Sequence, residues 1–190
     1  MSQRLPTVAA AMVYCVCLMM GVLPANAGEV EDRRVRISLE IFPRIVAVDL
    51  DLSSKLSKYG TLRLFVLFEN DDEGARHIAK QMKNSFTNIG GLAVEFVVRN
   101  AQQVEAEGME QAAGVFLSEL LSDAAFPAVM KTAVAQRVLV FSPFAGDVER
   151  GATVGIAISS RIKPYFNVAT LAQSHLHINE KLLSISQRYE

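Results

Sequence analysis

Three histidines are the residues best suited by type to bind a metal ion or transfer a proton. His175 and His177 lie two positions apart, so in a strand both would point to one face and could hold a metal. The alternation of polar and apolar residues around them favours instead a half-buried edge with both imidazoles facing solvent. His77 falls on the polar side of an amphipathic pattern and is predicted to be solvated. We therefore expect no metal site.

A dense run of carboxylates is the second candidate for chemistry. Glu69, Asp71, Asp72 and Glu73 follow directly after the apolar segment Leu62–Phe68, which is typical of a buried strand. Ligands bind at the carboxyl ends of parallel strands, so a cation site there is conceivable. The run lacks the D-x-D-x-D-G spacing of a calcium loop. We expect a solvated loop in which Asp71 or Asp72 caps the next helix.

Motifs for nucleophilic catalysis and phosphate binding are missing from the chain. It contains neither a G-x-S-x-G elbow nor a G-K-[ST] triplet. Gly90 and Gly91 follow a helical pattern and precede a strand, the reverse of the order in a phosphate-binding turn, and predict a helix C-cap. The formal net charge of −1 provides no field to attract nucleic acid. We therefore predict no enzymatic activity, no cofactor and no nucleic-acid partner.

Residues 1–27 have the composition of an export signal. They contain a single charged residue, and their apolar run over residues 8–23 is shorter than the ~20 residues that a spanning helix needs. The run is followed by Ala25, Asn26 and Ala27, the small-x-small pattern of a cleavage site. We predict a signal peptide over 1–27 and a periplasmic mature protein over 28–190. An uncleaved anchor helix is the alternative.

Both cysteines, Cys15 and Cys17, lie inside the predicted signal peptide. Neither follows the leucine and small residues that precede a lipidated cysteine, so no covalent lipid is expected. Cleavage removes both thiols, which excludes thiol redox sensing, a cysteine nucleophile and a zinc–thiolate site in the mature protein. The composition, 51% hydrophobic and 21% charged, fits a packed globular protein. Without a linker or repeat, residues 28–190 are predicted to be a single domain.

Hydrophobic periodicity predicts the α/β class: a mainly parallel sheet flanked by helices, with an antiparallel hairpin near the C-terminus. Strands at 62–68 and 92–98 flank an amphipathic helix at 75–86, and such a βαβ unit makes the strands parallel neighbours. Residues 35–48 fit both the strand and the helix period. Preceding acids and good helix formers favour a helix, with a bend or restart at Pro43.

The second half of the chain repeats this theme. Asn167, between a strand and a helix, is predicted to cap that helix, and Gly155 to allow a close backbone approach. Residues 142–151 are expected to be a loop. The remaining predictions are strands at 113–117 and 138–141, helices at 123–136, 169–175 and 180–189, and a hairpin of strands 153–159 and 163–168.

The C-terminal third resembles a known family. Residues 151–156, then Phe166-Asn167, then Leu176-x-Ile178-x-x-Lys181-Leu182-Leu183-x-Ile185 resemble the closing signature of the YfiR family of periplasmic proteins. That signature comprises a glycine-led strand, a return strand ending in Asn, a short helix and a final apolar segment. Residues 138–142 with Phe144 are similar to the family's preceding strand and aromatic loop.

The resemblance implies a periplasmic regulator in cyclic-di-GMP signalling. Such a protein binds the periplasmic domain of an inner-membrane sensor, typically a diguanylate cyclase, and holds it inactive. A periplasmic solute-binding module that holds a small anion at the strand ends is the rival hypothesis, and a homodimer stays an open alternative.

Residue types suggest where such a partner would bind. Phe and Arg anchor interfaces when desolvated, so Phe42, Arg44 and Phe144 are the predicted partner contacts. For both phenylalanines, plain core packing is the alternative. Leu182, Leu183 and Ile185 are expected to bury the last helix on the sheet.

Overall fold

A single sheet organises the part of the chain that the structure describes. The computed structural model describes residues 26–110 and 112–190, so the predicted signal peptide lies outside the described residues up to position 25. The strands are β1 (Leu62–Phe68), β2 (Asn88–Ile89), β3 (Leu92–Asn100), β4 (Ala112–Leu117), β5 (Leu139–Phe141), β6 (Val154–Ile158), β7 (Ile162–Asn167) and β8 (Gln187–Tyr189). Their spatial order is β2-β3-β1-β4-β5-β6-β7-β8.

The sheet is mainly parallel, as the sequence predicts. Strands β3, β1, β4, β5 and β6 run in the same direction, with Leu67 of β1 opposite Leu117 of β4. β6 and β7 form the predicted antiparallel hairpin, in which Ile158 faces Ile162. β8 then returns parallel to β7, and the short β2 pairs antiparallel with β3 at the opposite edge. The predicted fold class is confirmed.

Helices cover both faces of this sheet. They are α1 (Asn26–Val46), α2 (Asp72–Ser85), α3 (Ala101–Glu107), α4 (Ala125–Ala135), α5 (Asp147–Arg150), α6 (Val168–Gln173) and α7 (Glu180–Ile185), with a 3-10 helix at Leu52–Lys55. The helical alternative for residues 35–48 is therefore confirmed, and α1 continues through Pro43 to Val46. Within the described residues, no helix combines the length and apolar character that crossing a membrane requires.

Two hydrophobic cores lie on the two faces of the sheet. On the first face, Phe42 of α1 meets Phe116 of β4 and Phe141 of β5, with ring centroids 5.6–5.7 Å apart. On the other face, Phe65 and Phe126 belong to a core that includes residues of α3 and α4. Alternate residues of each strand point to opposite faces, so one strand contributes to both cores.

Two glycines allow backbones and side chains to approach closely. A Cβ at Gly114 in β4 would lie 2.9 Å from Cγ2 of Val46 and 3.2 Å from Cε2 of Phe42. Glycine here therefore lets α1 pack directly on the sheet. A Cβ at Gly155 in β6 would lie 2.7 Å from the carbonyl oxygen of Ser142, which confirms the predicted close approach.

Three sequence predictions are wrong in detail. Gly90 and Gly91 do not cap a helix: α2 ends at Ser85, and the two glycines, with φ of +59° and +82°, turn the chain between β2 and β3. A two-residue turn of this kind needs positive φ at both positions. Residues 142–151 are not wholly loop, because they include the single-turn α5. Residues 180–189 are not one helix, because the chain leaves α7 after Ile185 to form β8.

The last helix is less buried than expected. None of the residues of α7 is buried, and Ile185 is 62% exposed, so its predicted burial is wrong. Leu182 and Leu183 are half-buried and pack against the first core. Because α7 has fewer than two turns, only some of its apolar side chains reach the core.

Candidate functional site

The sheet has a topological switch point at the carboxyl ends of β1 and β4. From β1 the chain passes through α2 to β3 on one side, whereas from β4 it passes through α4 to β5 on the other. The loops after these neighbouring strands therefore diverge, and open α/β sheets bind ligands in the crevice this creates. Here a cavity of about 550 Å³ opens, which we call the crevice.

Segments distant in sequence line the crevice. They are α1, the loop between β1 and α2, the first turns of α2, residues 118–120 after β4, and Phe144 after β5. Phe144, Leu39 and Ile78 are buried and supply its apolar floor. Leu120 is 55% exposed at the opening, beside the exposed acids Glu31 and Asp32. The crevice thus combines an apolar floor with an acidic rim.

The carboxylate of Glu119 is the most heavily bonded group of the crevice. Its Oε1 accepts hydrogen bonds from the backbone N–H groups of Glu69, Asn70 and Asp71, at 2.8, 2.8 and 2.9 Å. Partial burial pushes the pKa of Glu119 up, but these hydrogen bonds outweigh burial and hold the pKa below its ordinary value. Successive N–H groups of this kind form an anion-binding nest, and Glu119 occupies it.

The predicted acidic run is a capping and bracing loop, as expected. Asp71 Oδ1 accepts the N–H of Gly74 at 2.8 Å and caps α2. Glu69 accepts the N–H and the hydroxyl of Ser122, both at 2.8 Å, and so joins the loop after β1 to the loop after β4. Asp72 pairs with Arg76 one turn along the helix. These bonds hold the crevice walls in one arrangement.

The loop after β5 is anchored equally well. The hydroxyl of Ser142 donates to Asp147 at 2.6 Å and accepts the N–H of Phe144 at 3.2 Å. Asp147 is fully buried and pairs with Arg150 at 2.8 Å. The backbone of Phe144 is therefore held by a network of buried polar bonds.

Arg34 joins this loop to α1. Its Nε donates to the carbonyl of Pro143 at 2.7 Å, and its Nη2 donates to the carbonyl of Ile156 at 2.9 Å. Burial lowers the pKa of Arg34 from its ordinary value. The negative charges of Glu31 and Glu149 act in the other direction and raise the pKa, but burial outweighs them. The guanidinium thus holds the wall formed by α1 against the loop after β5 and against β6.

The three predicted partner contacts lie in different environments in the structure. Phe42 is 0% exposed, so the core-packing alternative applies to it and its ring does not reach the surface. Arg44 is exposed on α1 and pairs with Glu40 at 3.3 Å. Phe144 is 6% exposed and lines the crevice. Of the three, only Phe144 belongs to the candidate site.

The residues with a predicted structural role are found close to their expected places. Asn167 caps α6 through a hydrogen bond from the N–H of Thr170 at 2.8 Å, as predicted, and also donates to the carbonyl of Val148 at 2.8 Å. Leu182 and Leu183 pack at the margin of the first core. Their role is to attach the last helix.

The histidines lie at the other end of the sheet. His175 and His177 are exposed, as predicted, but they stand in the segment after α6 rather than in a strand. They line a second cavity of about 640 Å³ at the amino ends of β4 and β5, where Nδ1 of His177 lies 2.6 Å from Oδ2 of Asp51. Within the described residues, no group of three or more His, Cys, Asp and Glu could hold a metal.

Sequence reasoning missed Glu119 and Arg34. The partners of Glu119 lie 48–50 residues away, and those of Arg34 lie 109 and 122 residues away. No local pattern marks such residues. The available signal was indirect: Glu119 comes two residues after a fully apolar strand, at the end where ligands bind.

Comparisons with known proteins place the fold. The family model described as YfiR/HmsC-like matches residues 52–187. No curated protein matches the chain. Among solved structures, a conserved domain protein from Vibrio cholerae is similar, with a TM-score of 0.56 and 13% identity over 82% of this chain and 60% of that one.

A second similar structure is that of CD0873 in its ligand-free, open form, a substrate-binding protein with adhesive properties from Clostridium difficile. Its TM-score is 0.51 and its identity 14%, over 75% of this chain and 60% of that one. At such identities the likeness concerns the fold alone. The chain spans about 60% of the length of both structures.

Proposed function

The chain belongs to the YfiR/HmsC-like family of periplasmic regulators, and from that membership we propose that it binds the periplasmic domain of an inner-membrane signalling protein, a diguanylate cyclase, and holds it inactive. Binding would shift the equilibrium between an active and an inactive state of the cyclase. A regulator changes such an equilibrium only by binding one state more tightly than the other.

The observation that supports a protein partner over a small anion is the bond pattern of Glu119. The nest where an α/β binding module would hold an anionic group is filled by the chain's own carboxylate. An incoming anion would have to displace the Glu119 carboxylate from these N–H groups and would be repelled by its negative charge. What remains accessible is the surface around the crevice.

We assign the partner contact to the opening of the crevice. Leu120 is the exposed apolar residue there, and Phe144 lies below it with its backbone fixed. Preorganised apolar groups lose little conformational entropy on binding, which favours affinity. Arg44 lies on the outer side of α1 and is a secondary candidate.

A solute-binding module is the second candidate function. The fold likeness to a substrate-binding protein favours it, as does the place of the crevice at the switch point of the sheet. The carboxylate in the nest argues against an anionic solute. A cationic or neutral solute is the form of this hypothesis that the crevice chemistry allows.

The function requires export, and we propose that residues 1–27 are a cleaved signal peptide and residues 28–190 the mature domain. The mature protein should begin at Gly28. N-terminal sequencing of protein from a periplasmic extract checks this, and an intact Met1 start in the membrane fraction would contradict it.

The test of the function measures cyclic-di-GMP in cells in which a diguanylate cyclase gene lies beside this gene and is expressed. Deletion of this gene should raise cyclic-di-GMP, and the wild-type gene should restore the low level. Leu120→Ala should restore it only in part, because it removes an apolar contact of the interface. The matched control is Leu50→Ala, since Leu50 is similarly exposed, at 65%, and lies outside the crevice. Unchanged cyclic-di-GMP in the deletion strain rejects the proposal.

A further inference from the structure

The crevice has a charge imbalance that bears on what it binds. Its lining includes four carboxylates, those of Glu31, Asp32, Asp71 and Glu119, against the single guanidinium of Arg36. His77 also lines it and is hydrogen-bonded to Gln81 at 2.8 Å. The lining therefore carries more negative than positive charge.

The four carboxylates fall into two pairs. Asp71 and Glu119 accept backbone N–H groups, which compensate part of their charge. Glu31 and Asp32 lie exposed on α1 and form no ion pair within the described residues, although the charge of Glu31 acts on Arg34. A ligand entering the crevice passes these two free carboxylates first.

Apolar surface continues below this rim. Leu39, Ile78 and Phe144 form the floor, and Leu120 stands at the lip. A volume of about 550 Å³ is sufficient for one or two side chains of a docked segment, and it lies within the range of sites that take small molecules. A ligand that contacts both parts of the crevice would place an aliphatic group on the apolar floor and a positive charge beside the acidic rim.

We propose that the crevice binds a segment of the partner protein in which an arginine or lysine stands next to an aliphatic residue. The inference rests on the proposed function and names the chemistry of the partner at that site. The aliphatic side chain contacts Phe144 and Leu120, and the cation lies between Glu31 and Asp32. Long cationic side chains suit this arrangement, because their methylene stems pack on apolar surface while the charge stays in water.

Exposed charges of this kind act mainly on association. Attraction between a cationic segment and the rim raises the association rate and weakens as salt increases, because exposed charges are screened. The apolar contact is far less sensitive to salt. Binding at the crevice should therefore have both a salt-dependent and a salt-independent part.

The test titrates the mature protein with three short blocked peptides and follows backbone amide signals by NMR. The probes are Leu-Arg-Leu-Arg, Leu-Glu-Leu-Glu and Ser-Arg-Ser-Arg, so charge and apolar character are varied separately. We expect the first peptide to bind at millimolar concentration and to shift the amides of residues 71–74, 118–120 and 144. The other two should bind at least several-fold more weakly.

Protein variants then test the rim. Glu31→Gln combined with Asp32→Asn should weaken binding of Leu-Arg-Leu-Arg about 3- to 10-fold and reduce its salt dependence. The matched control, Glu180→Gln with Glu190→Gln, removes the same charge from two exposed positions outside the crevice, the first residue of α7 and the residue after β8, and should leave binding unchanged. A thermal unfolding curve verifies that each variant is folded.

Equal binding of the acidic peptide, or no loss of affinity in the rim variant, overturns the inference. Its failure can be separated from failure of the proposed function. If the rim variant restrains the cyclase in cells as well as the wild type does, the cationic segment is rejected while the regulatory function stands. If the peptide binds as expected but gene deletion leaves cyclic-di-GMP unchanged, the crevice chemistry stands and the regulatory function is rejected.

Discussion

The crevice and the end segment, residues 179–190, are held in the fold by different means. Around the crevice, Glu119, Glu69 and Arg34 join pieces of chain far apart in sequence through hydrogen bonds to backbone groups. The end segment consists of α7, which has no buried residue, and β8, whose three residues are all exposed.

The two regions show that a segment with a recognisable sequence pattern need not be the one that is held by the most contacts. The end segment carries part of the pattern that resembles the family, yet only two half-buried leucines and the pairing of β8 with β7 attach it to the sheet. Of the crevice residues only Phe144 belongs to the resemblance, yet the crevice walls are held by several long-range hydrogen bonds. In these two regions, resemblance to the family does not indicate how firmly a segment is attached to the fold.

The largest effect is expected where α1 joins the sheet below the crevice. Phe42→Ala should lower the free energy of unfolding by about 3–5 kcal/mol, because Phe42 is fully buried between two other aromatic rings and truncation leaves a cavity. Chemical denaturation measures the change. Phe42→Leu is the control and should cost clearly less. A loss below about 1 kcal/mol would show that α1 is not a fixed wall.

Next in size is the loss of the carboxylate that fills the nest. Glu119→Ala leaves three backbone N–H groups without their acceptor and should lower the free energy of unfolding by about 2 kcal/mol. Glu119→Gln keeps an acceptor oxygen and should cost less. If both variants match the wild type in urea denaturation, water replaces Glu119 without loss and the crevice is no more firmly built than the end segment.

The contribution of Glu119 should also depend on pH. The folded state holds the pKa of Glu119 below its ordinary value, so its stabilisation is present above the ordinary pKa of glutamate, about 4.3, and is lost as pH falls through the lowered pKa. The difference in stability between wild type and Glu119→Gln should therefore shrink in acid. A difference that stays constant from neutral to acidic pH contradicts a lowered pKa.

Smaller effects are expected in the end segment. Leu183→Ala should lower the free energy of unfolding by about 1–2 kcal/mol, less than for a fully buried leucine, because Leu183 is half-buried. Thermal unfolding checks this. A loss comparable with that of Phe42→Ala would remove the contrast between the two regions.

The smallest effect is expected at Ile185. Ile185→Ala should change the free energy of unfolding by less than about 0.5 kcal/mol, because its side chain is mostly in water. The variant serves as the matched control for Leu183→Ala within the same helix. A marked destabilisation would indicate that the end segment packs more tightly than its exposure suggests.

Much of the fold is predictable because the central strands are mainly apolar runs. Leu62–Phe68 has the predicted bounds, and the βαβ unit that follows it has the predicted parallel pairing. The predictions fail at the outermost strands β2 and β8, which are short and polar in part. β2 has two residues and β8 has three, too few for a periodicity to register, and their pairing depends on neighbours in space.

The candidate site was predictable only in part. The role of Asp71 as a helix cap follows from local chemistry and is confirmed. Phe42 was named as a partner contact from its residue type, with core packing as the alternative, and it is fully buried, with Val35, Ile37 and Ile41 packed beside it against the first core. The burial of a helix face depends on the width of the sheet it covers, which a helix sequence does not contain.

The two outermost strands of the sheet have a consequence for the behaviour of the protein at high concentration. A sheet edge offers unpaired backbone groups on which another chain can grow a strand, the first step of aggregation. Here one edge is the two-residue β2 and the other is the three-residue β8, which contains Arg188. The short β8 gives an incoming chain few consecutive hydrogen bonds, whereas β2 pairs only with Leu92 and Ala93 and leaves the rest of β3 as the outer strand on its side. The brevity of β8 thus protects its edge of the sheet against extension, and strand addition is expected at β3 instead.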